Sequence, residues 1–418
     1  MASETIRMRR LLSVIGFLLL HVGRSGALVP QTADATTGLV SSQAVVLNSR
    51  TSKVYAVDPA QNAVMVFDSA KRAGLRVAVG AAPVAIAVNE VTNRVYVANA
   101  GGETVSVIDG ESNAVSANVK VGPRPYALAA NSATNKIYVS LAFGNTITVI
   151  DGSTNSASAA QVGSADAIAV DAKLNKIYLL GYEDTNLTMV DSAASVVGNV
   201  AAGIHLWGMA VNESTHMLYA TRSGNAELVA LDELSGRTKT VPVGAIPCAV
   251  AVNPKTNMVY VVNHGDDTVT VVDGARNTAV ATLHVGKQPQ GIAVDPLKNL
   301  VYIANKHGDT VSVIDGRQNR VVKTIQTEKN PYALAVDPRS GLIYVALVGP
   351  TAIEVIDPAK LPSPAKQAQI GDAGELVPSY SRPEVASRRS RDGAILENAT
   401  AIRSRPCRKG PCPDRLRY

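Results

Sequence analysis

Residues 290–325 read QGIAVDPLKNLVYIANKHGDTVSVIDGRQNRVVKTI, and this stretch predicts four short β-strands in succession. The runs rich in apolar and β-branched residues are Gln290–Val294, Leu300–Ala304, Thr310–Ile314 and Val321–Ile325. Gly, Pro, Asn and Asp separate these runs, as expected where a chain must turn between strands. The stretch is therefore typical of one compact β-sheet.

The same pattern recurs eight times along the chain. Its clearest marker is an apolar residue followed by a tyrosine, repeated every 40 to 42 residues at Tyr55, Tyr96, Tyr138, Tyr178, Tyr219, Tyr260, Tyr302 and Tyr344. Third runs such as Thr104–Ile108 are apolar or small on both faces, so each sheet must be covered on both sides. A single unit cannot do this alone, and the repeats must stack and close. The sequence predicts an all-β fold, a β-propeller of eight four-stranded blades over residues 42–371, with seven blades as the alternative.

The repeat resembles that of the YVTN-type β-propeller repeat proteins. The resemblance rests on Tyr96-Val97-Ala98-Asn99 and Tyr302-Ile303-Ala304-Asn305, each followed by a segment similar to TVSVIDG. It implies a propeller fold but no activity, because the residues that define the family are structural. We interpret the recurring tyrosines and the Asp-Gly pairs in the same way. The glycines, for example Gly110 and Gly316, are expected at hairpin turns that require positive φ.

The N-terminus is typical of an export signal. Arg7, Arg9 and Arg10 precede the apolar run Leu11–Val22, and small residues follow at Ser25–Ala27. We therefore expect a signal peptide at residues 1–27 and a linker at 28–41. An uncleaved N-terminal anchor is the alternative, although the run is short for a spanning helix. After removal of the signal no transmembrane span is expected, so the protein is predicted to be periplasmic, at the cell surface or extracellular.

The positive charge of the chain lies at its ends. The formal net charge is +6, but residues 28–371 contain 26 basic and 27 acidic residues, a net charge of −1. The body therefore gives no general electrostatic attraction to nucleic acid. Residues 372–418 are rich in Arg, Pro and Ser and are expected to form a disordered tail. Within the tail, Cys407 and Cys412 are candidates for a disulfide in an oxidising compartment.

Candidate binding residues lie where the inner strand of each blade begins and where the loop between its second and third strands turns. In a propeller these two loops open on one face, around the central channel. Trp207 is the only tryptophan, and it follows an entering loop that lacks the proline found in other repeats. The candidates at the channel mouth are Tyr126, Asp166, His205, Trp207, Gln290, Tyr332, His264 and His307. The alternative is that the aromatic residues among them only pack the channel entrance.

Three functional hypotheses follow from these residues. The first is a non-enzymatic binding or interaction module, monomeric and without cofactor, whose partner is a protein or a glycan that stacks on the mouth aromatics. The second is a metal-dependent enzyme of lactonase or lyase type, since His205, His264 and His307 are expected on one rim with nearby aspartates. The third is nucleic-acid binding, against which the body charge argues. The chain contains no CxxCH haem motif, no Walker loop and no Gly-x-Ser-x-Gly elbow, so no catalytic residue or cofactor is assigned.

Overall fold

The computed structural model describes residues 44–142, 144–348 and 353–360, and these residues form a β-propeller of eight blades. The first four blades each contain four antiparallel strands. They are β1 (Val45–Asn48), β2 (Lys53–Asp58), β3 (Ala63–Asp68) and β4 (Ala73–Ala78); β5 (Pro83–Asn89), β6 (Arg94–Asn99), β7 (Thr104–Asp109) and β8 (Ala114–Lys120); β9 (Pro125–Asn131), β10 (Lys136–Leu141), β11 (Thr146–Asp151) and β12 (Ala157–Gln161); β13 (Ala167–Asp171), β14 (Lys176–Leu180), β15 (Asn186–Val190) and β16 (Val196–Ala201).

The second half of the ring repeats this arrangement. Its strands are β17 (Leu206–Asn212), β18 (Met217–Arg222), β19 (Glu227–Asp232) and β20 (Thr238–Pro242); β21 (Pro247–Asn253), β22 (Met258–Asn263), β23 (Thr268–Asp273) and β24 (Thr278–His284); β25 (Pro289–Asp295), β26 (Leu300–Asn305), β27 (Thr310–Asp315) and β28 (Arg320–Gln326); and β29 (Pro331–Val336), β30 (Ile343–Leu347) and β31 (Ile353–Ile356). Short 3₁₀ turns occur at Pro59–Gln61, Ser223–Asn225 and Pro358–Lys360.

The predicted fold class and blade count are confirmed. In blade 7 the four predicted strands are present, and each extends by one or two residues beyond the apolar run that predicted it. Blade 8 has three strands in the described part of the chain. The fourth strand expected for this blade before residue 371 lies outside the described residues, as do the predicted signal peptide, the linker, the tail and the pair Cys407 and Cys412.

The blades close into a ring through their inner strands. Each of β1, β5, β9, β13, β17, β21, β25 and β29 contacts the next, and β29 contacts β1. Side chains also cross the closing junction between blade 8 and blade 1. The hydroxyls of Tyr344 and Ser69 lie 2.8 Å apart, and Arg72 donates to Asp357 at 3.1 Å. The ring is therefore closed by packing and polar contacts between the first and last blades.

The recurring tyrosines lie in the core between blades. All eight are at most 2% exposed. The Tyr138 hydroxyl donates to the carbonyl oxygen of Ser192 in the next blade, and Tyr219 reaches Gly274 in the same way. Their burial accounts for their recurrence, because each fills the space between two sheets with one large side chain.

The expectation that the glycines of the Asp-Gly pairs adopt positive φ is wrong. Among the described residues, the left-handed position of these turns is held by an asparagine three residues later, as at Asn113 (φ 54°). Gly110 is required for space instead, because a Cβ there would lie 2.6 Å from the carbonyl oxygen of Asn93. Asp109 completes the turn by accepting a hydrogen bond from the Ser112 amide at 2.9 Å.

Candidate functional site

The two loops expected at the channel mouth lie side by side in the structure. In blade 2 the Ala100 amide donates to the Ala82 carbonyl oxygen at 3.0 Å, which joins the loop after β6 to the loop that enters β5. The amides of His264 and Lys306 make the same bond in blades 6 and 7. Residues of these loops therefore share one face with the starts of the inner strands.

An aromatic group occupies the mouth at blades 4 and 5. The rings of Tyr182 and Trp207 meet edge to face with centroids 5.4 Å apart, and the ring of His205 lies 5.1 Å from Tyr182. Tyr182 is buried, whereas Trp207 and His205 are partly exposed. The His205 amide donates to the Tyr182 carbonyl oxygen at 2.8 Å, which joins the two blades by a backbone hydrogen bond. The indole is thus held by a buried neighbour and keeps part of its surface toward solvent.

Asp166 is fixed beside this group. Its Oδ2 accepts a hydrogen bond from the Tyr182 amide at 2.8 Å, and its own amide donates to the Leu180 carbonyl oxygen at 2.6 Å. Tyr126 of blade 3 lies near enough for the negative charge of Asp166 to raise its pKa. Burial, with a contribution from Asp166, raises the pKa of Tyr126 to about 12. Tyr126 therefore stays protonated and can donate a hydrogen bond next to a carboxylate.

The mouth has a different character at blades 6 and 7. His264 Nδ1 lies 3.2 Å from the Pro289 carbonyl oxygen, and burial lowers the pKa of His264, with further lowering by Lys306 and His307. Burial also lowers the pKa of Lys306. His307 is exposed. This side of the mouth therefore carries a neutral imidazole and a desolvated amine.

Two further residues at the mouth are explained by packing. The Cys248 thiol donates to the Pro289 carbonyl oxygen at 3.6 Å, and burial raises the pKa of Cys248 to about 12, so it is not an activated nucleophile. Tyr332 is 5% exposed, and burial together with the charge of Asp58 raises its pKa. Gln290 is partly exposed at the start of its inner strand.

The structure thus brings together Asp166, His205 and Trp207, and it places Tyr126 near them. It does not gather His205, His264 and His307 into one metal-binding group. Across residues 44–142, 144–348 and 353–360, one set of three His, Cys, Asp or Glu side chains brings its ligand atoms within 4.8 Å of one another, and that set lies at the other end of the strands.

Sequence reasoning missed Tyr182, although it is the centre of the aromatic group. The signal was available, because Gly181 stands where the second strands of other repeats end with Asn, as at Asn99 and Asn305, and Tyr182 follows it. In those repeats the Asn side chain donates to hydroxyls of the third strand, for example Asn99 to Ser106 at 2.9 Å. In blade 4, Gly181 takes the position of this asparagine, and a side chain there would collide with the carboxylate of Asp184.

Comparison with known proteins supports the fold and stops short of a function. The family model of YNCE-like β-propellers matches residues 240–357. No curated protein matches the chain significantly. A solved structure of Kuenenia stuttgartiensis hydrazine synthase is similar with a TM-score of 0.54 and 17% identity, covering 80% of this chain and 99% of that one. The dihydro-heme d1 dehydrogenase NirN, in complex with DHE, is similar with a TM-score of 0.62 and 13% identity, covering 79% of this chain and 73% of that one.

These matches establish a β-propeller repeat protein. At such low identity, the likeness to the two solved structures concerns the fold alone. No helix within the described ranges has the length and apolar character needed to cross a membrane.

Proposed function

We propose that this chain is an exported, non-enzymatic propeller of the YVTN type that binds a protein or glycan partner at its channel mouth. The observation that carries the proposal is the group of Tyr182, His205 and Trp207 beside the fixed carboxylate of Asp166. It stands in blades 4 and 5, whose entering loops lack the proline found in most of the other repeats. A departure from a structural repeat that creates a supported, partly exposed aromatic surface favours binding over packing.

The chemistry of this surface suits a ligand with an apolar face and polar edges. A tryptophan held by a buried neighbour offers a large contact area with little loss of side-chain entropy on binding. Asp166 is oriented by the Tyr182 amide and accepts hydrogen bonds, while the protonated Tyr126 hydroxyl donates them. Sugars present hydroxyl groups around an apolar ring face, and peptides present amides around apolar side chains, so both classes match this set of groups.

Two further points support export and binding. The basic start followed by a short apolar run is typical of a secretory signal. NirN, which has a similar fold, is known in complex with DHE, so chains of this architecture occur in proteins that bind ligands. The metal-dependent enzyme is the weaker alternative, because the three mouth histidines are not gathered around one point. Nucleic-acid binding is also weaker, given the net charge of −1 over residues 28–371.

The fluorescence of Trp207 tests the proposal directly, since the chain has no other tryptophan. The purified protein is titrated with a panel of neutral oligosaccharides and unstructured peptides. At least one class is expected to shift the emission saturably. Calorimetry then compares Trp207→Ala and Asp166→Asn with the control Leu234→Ala, whose side chain is 68% exposed in a turn of the same blade.

Asp166→Asn is expected to weaken binding about tenfold, the effect of losing roughly 1.4 kcal/mol from a charge-assisted hydrogen bond. Trp207→Ala should weaken it at least as much, and Leu234→Ala should leave it unchanged. Binding that is equally strong in both mouth variants would place the ligand elsewhere and refute the proposed site.

A further inference from the structure

At five of the eight junctions, adjacent blades are joined by a pair of asparagines on the face opposite the channel mouth. The asparagine that ends an inner strand donates from Nδ2 to Oδ1 of an asparagine in the first turn of the next blade. The distances are 2.7–2.8 Å in the pairs Asn48–Asn93, Asn89–Asn135, Asn131–Asn175, Asn212–Asn257 and Asn253–Asn299. We call each pair an asparagine clasp.

The junction between blades 4 and 5 departs from this rule at three positions together. Asp171 ends the inner strand of blade 4, and His216 occupies the turn of blade 5, with its Nδ1 3.0 Å from Asp171 Oδ2. Glu233 stands where Gly152, Gly274 and other repeats have a small residue. The shared backbone hydrogen bond shows the equivalence, since the Glu233 amide donates to the His216 carbonyl oxygen at 2.9 Å as the Gly152 amide donates to Asn135.

The three replacements leave a buried carboxylate without compensation. Glu233 is 3% exposed, and neither of its carboxylate oxygens has a hydrogen-bond partner. Asp171, fully buried, lies beside it and carries the same charge. The nearby Lys176 Nζ donates to the backbone carbonyl oxygen of Glu233 and not to its carboxylate. Burying such a group without a partner is costly, so the site calls for a positive ion or a proton.

The groups around Glu233 do not supply the missing positive partner. The two carboxylate oxygens of Asp171 are engaged by the Leu174 amide at 2.8 Å and by His216 Nδ1 at 3.0 Å, so Glu233 faces a second carboxylate and no donor. The Tyr178 hydroxyl is itself buried without a hydrogen-bond partner. Two carboxylates, an imidazole and a phenol therefore converge on one small volume between the blades.

We propose that Asp171, His216 and Glu233 bind a divalent transition-metal ion, such as Zn²⁺ or Mn²⁺, that joins blade 4 to blade 5 in place of an asparagine clasp. Their ligand atoms all lie within 4.8 Å of one another. The 3.0 Å between His216 and Asp171 is close to the roughly 3.3 Å that separates two ligands on a tetrahedral zinc ion. One imidazole with two carboxylates is a set that zinc and manganese accept, whereas calcium prefers oxygen ligands alone.

The site is independent of the proposed binding surface, because it lies at the opposite ends of the strands. Its ligands come from both blades, Asp171 from one and His216 with Glu233 from the other. The metal would therefore stabilise the junction and not supply chemistry to the channel mouth. Failure of either proposal leaves the other standing.

The test compares the full chain with a variant that restores the clasp, Asp171→Asn with His216→Asn and Glu233→Gly. Each protein is stripped with a chelator, mixed with Zn²⁺, Mn²⁺ or Ca²⁺, desalted and assayed for bound metal by mass spectrometry. Thermal unfolding is followed by circular dichroism. The unmodified chain is expected to retain one Zn²⁺ or Mn²⁺ ion and to unfold about 4 °C higher with metal present, while Ca²⁺ has little effect.

The restored-clasp variant is expected to fold, because the same chain uses that clasp at five other junctions. It is expected to retain no metal and to show no metal-dependent shift. If the restored-clasp variant does not fold, the single variant Glu233→Gln, which keeps the side-chain shape, takes its place. It should bind Zn²⁺ or Mn²⁺ at least tenfold more weakly than the unmodified chain. An unmodified chain that retains neither metal would overturn the proposal and indicate a proton shared by the two carboxyl groups. Variants that retain as much metal as the unmodified chain would also overturn the proposal.

Discussion

Asn89→Ala should destabilise the propeller by about 2–4 kcal/mol, because it removes an asparagine clasp at a fully buried position. The Asn89 side chain donates to Asn135 Oδ1 at 2.8 Å and accepts from the amides of Val91 and Thr92 at 3.1 and 3.3 Å. The turn amides lie at an exposed segment where water can replace the lost acceptor. Most of the cost therefore comes from the unpaired Asn135 oxygen, at roughly 1–3 kcal/mol, and from the vacated volume.

Urea unfolding followed by far-ultraviolet circular dichroism measures this cost. Val91→Ala is the matched control, since that side chain is 64% exposed in the same turn and its removal should change stability by less than about 0.5 kcal/mol. A double-mutant cycle with Asn135→Ala isolates the bond between the blades and should give a coupling of about 1 kcal/mol. A coupling near zero, or an Asn89→Ala variant as stable as the control, would refute the view that these clasps hold the blades together.

Three further outcomes are expected from polar groups at the ring closure and the channel mouth. Ser69→Ala should cost about 1–2 kcal/mol in urea unfolding because it leaves the Tyr344 hydroxyl unpaired at the ring closure, whereas Ser112→Ala, in an exposed turn, should cost much less; equal costs would argue against that closure. Burial lowers the pKa of His264 below its ordinary 6.5, so the neutral form stabilises the fold above pH 6.5, and this stabilisation is lost as the pH falls through the folded-state pKa. The His264→Gln variant should therefore lose less stability between pH 7.5 and pH 5 than the unmodified chain. An unchanged pH dependence of stability in the variant would contradict this prediction. The Cys248 thiol, whose pKa is raised to about 12, should resist iodoacetamide at pH 8 until urea unfolds the chain, as read by peptide mass spectrometry. Rapid labelling of the folded protein would contradict this raised pKa.

The repeated features of the fold were predictable from sequence because each depends on nearby residues. Alternating apolar runs and turn residues located the strands of blade 7 to within one or two residues. The interval between tyrosines then predicted eight stacked units, with seven blades as the alternative. The reason for the Asp-Gly glycines was not predictable, since the atom that excludes a side chain at Gly110 belongs to Asn93 in a different turn of the blade.

The candidate sites were harder to predict from sequence, because they depend on contacts between residues of different blades. Trp207 and Asp166 were recognisable as departures from the entering-loop pattern, but the role of Tyr182 depends on ring contacts across two blades. Asp171, His216 and Glu233 were missed because they are separated by up to about one and a half repeats and each passes as an ordinary turn residue. Only the ring brings the three positions to one junction.

A crystal structure of the protein soaked with the tightest ligand from the Trp207 titration tests the central claim most directly. The account predicts ligand density against the indole of Trp207, within hydrogen-bond distance of Asp166, at the end of the strands where the entering loops lie. Density confined to the opposite face or to the outer strands would contradict the claim that the departures from the repeat in blades 4 and 5 form the binding site.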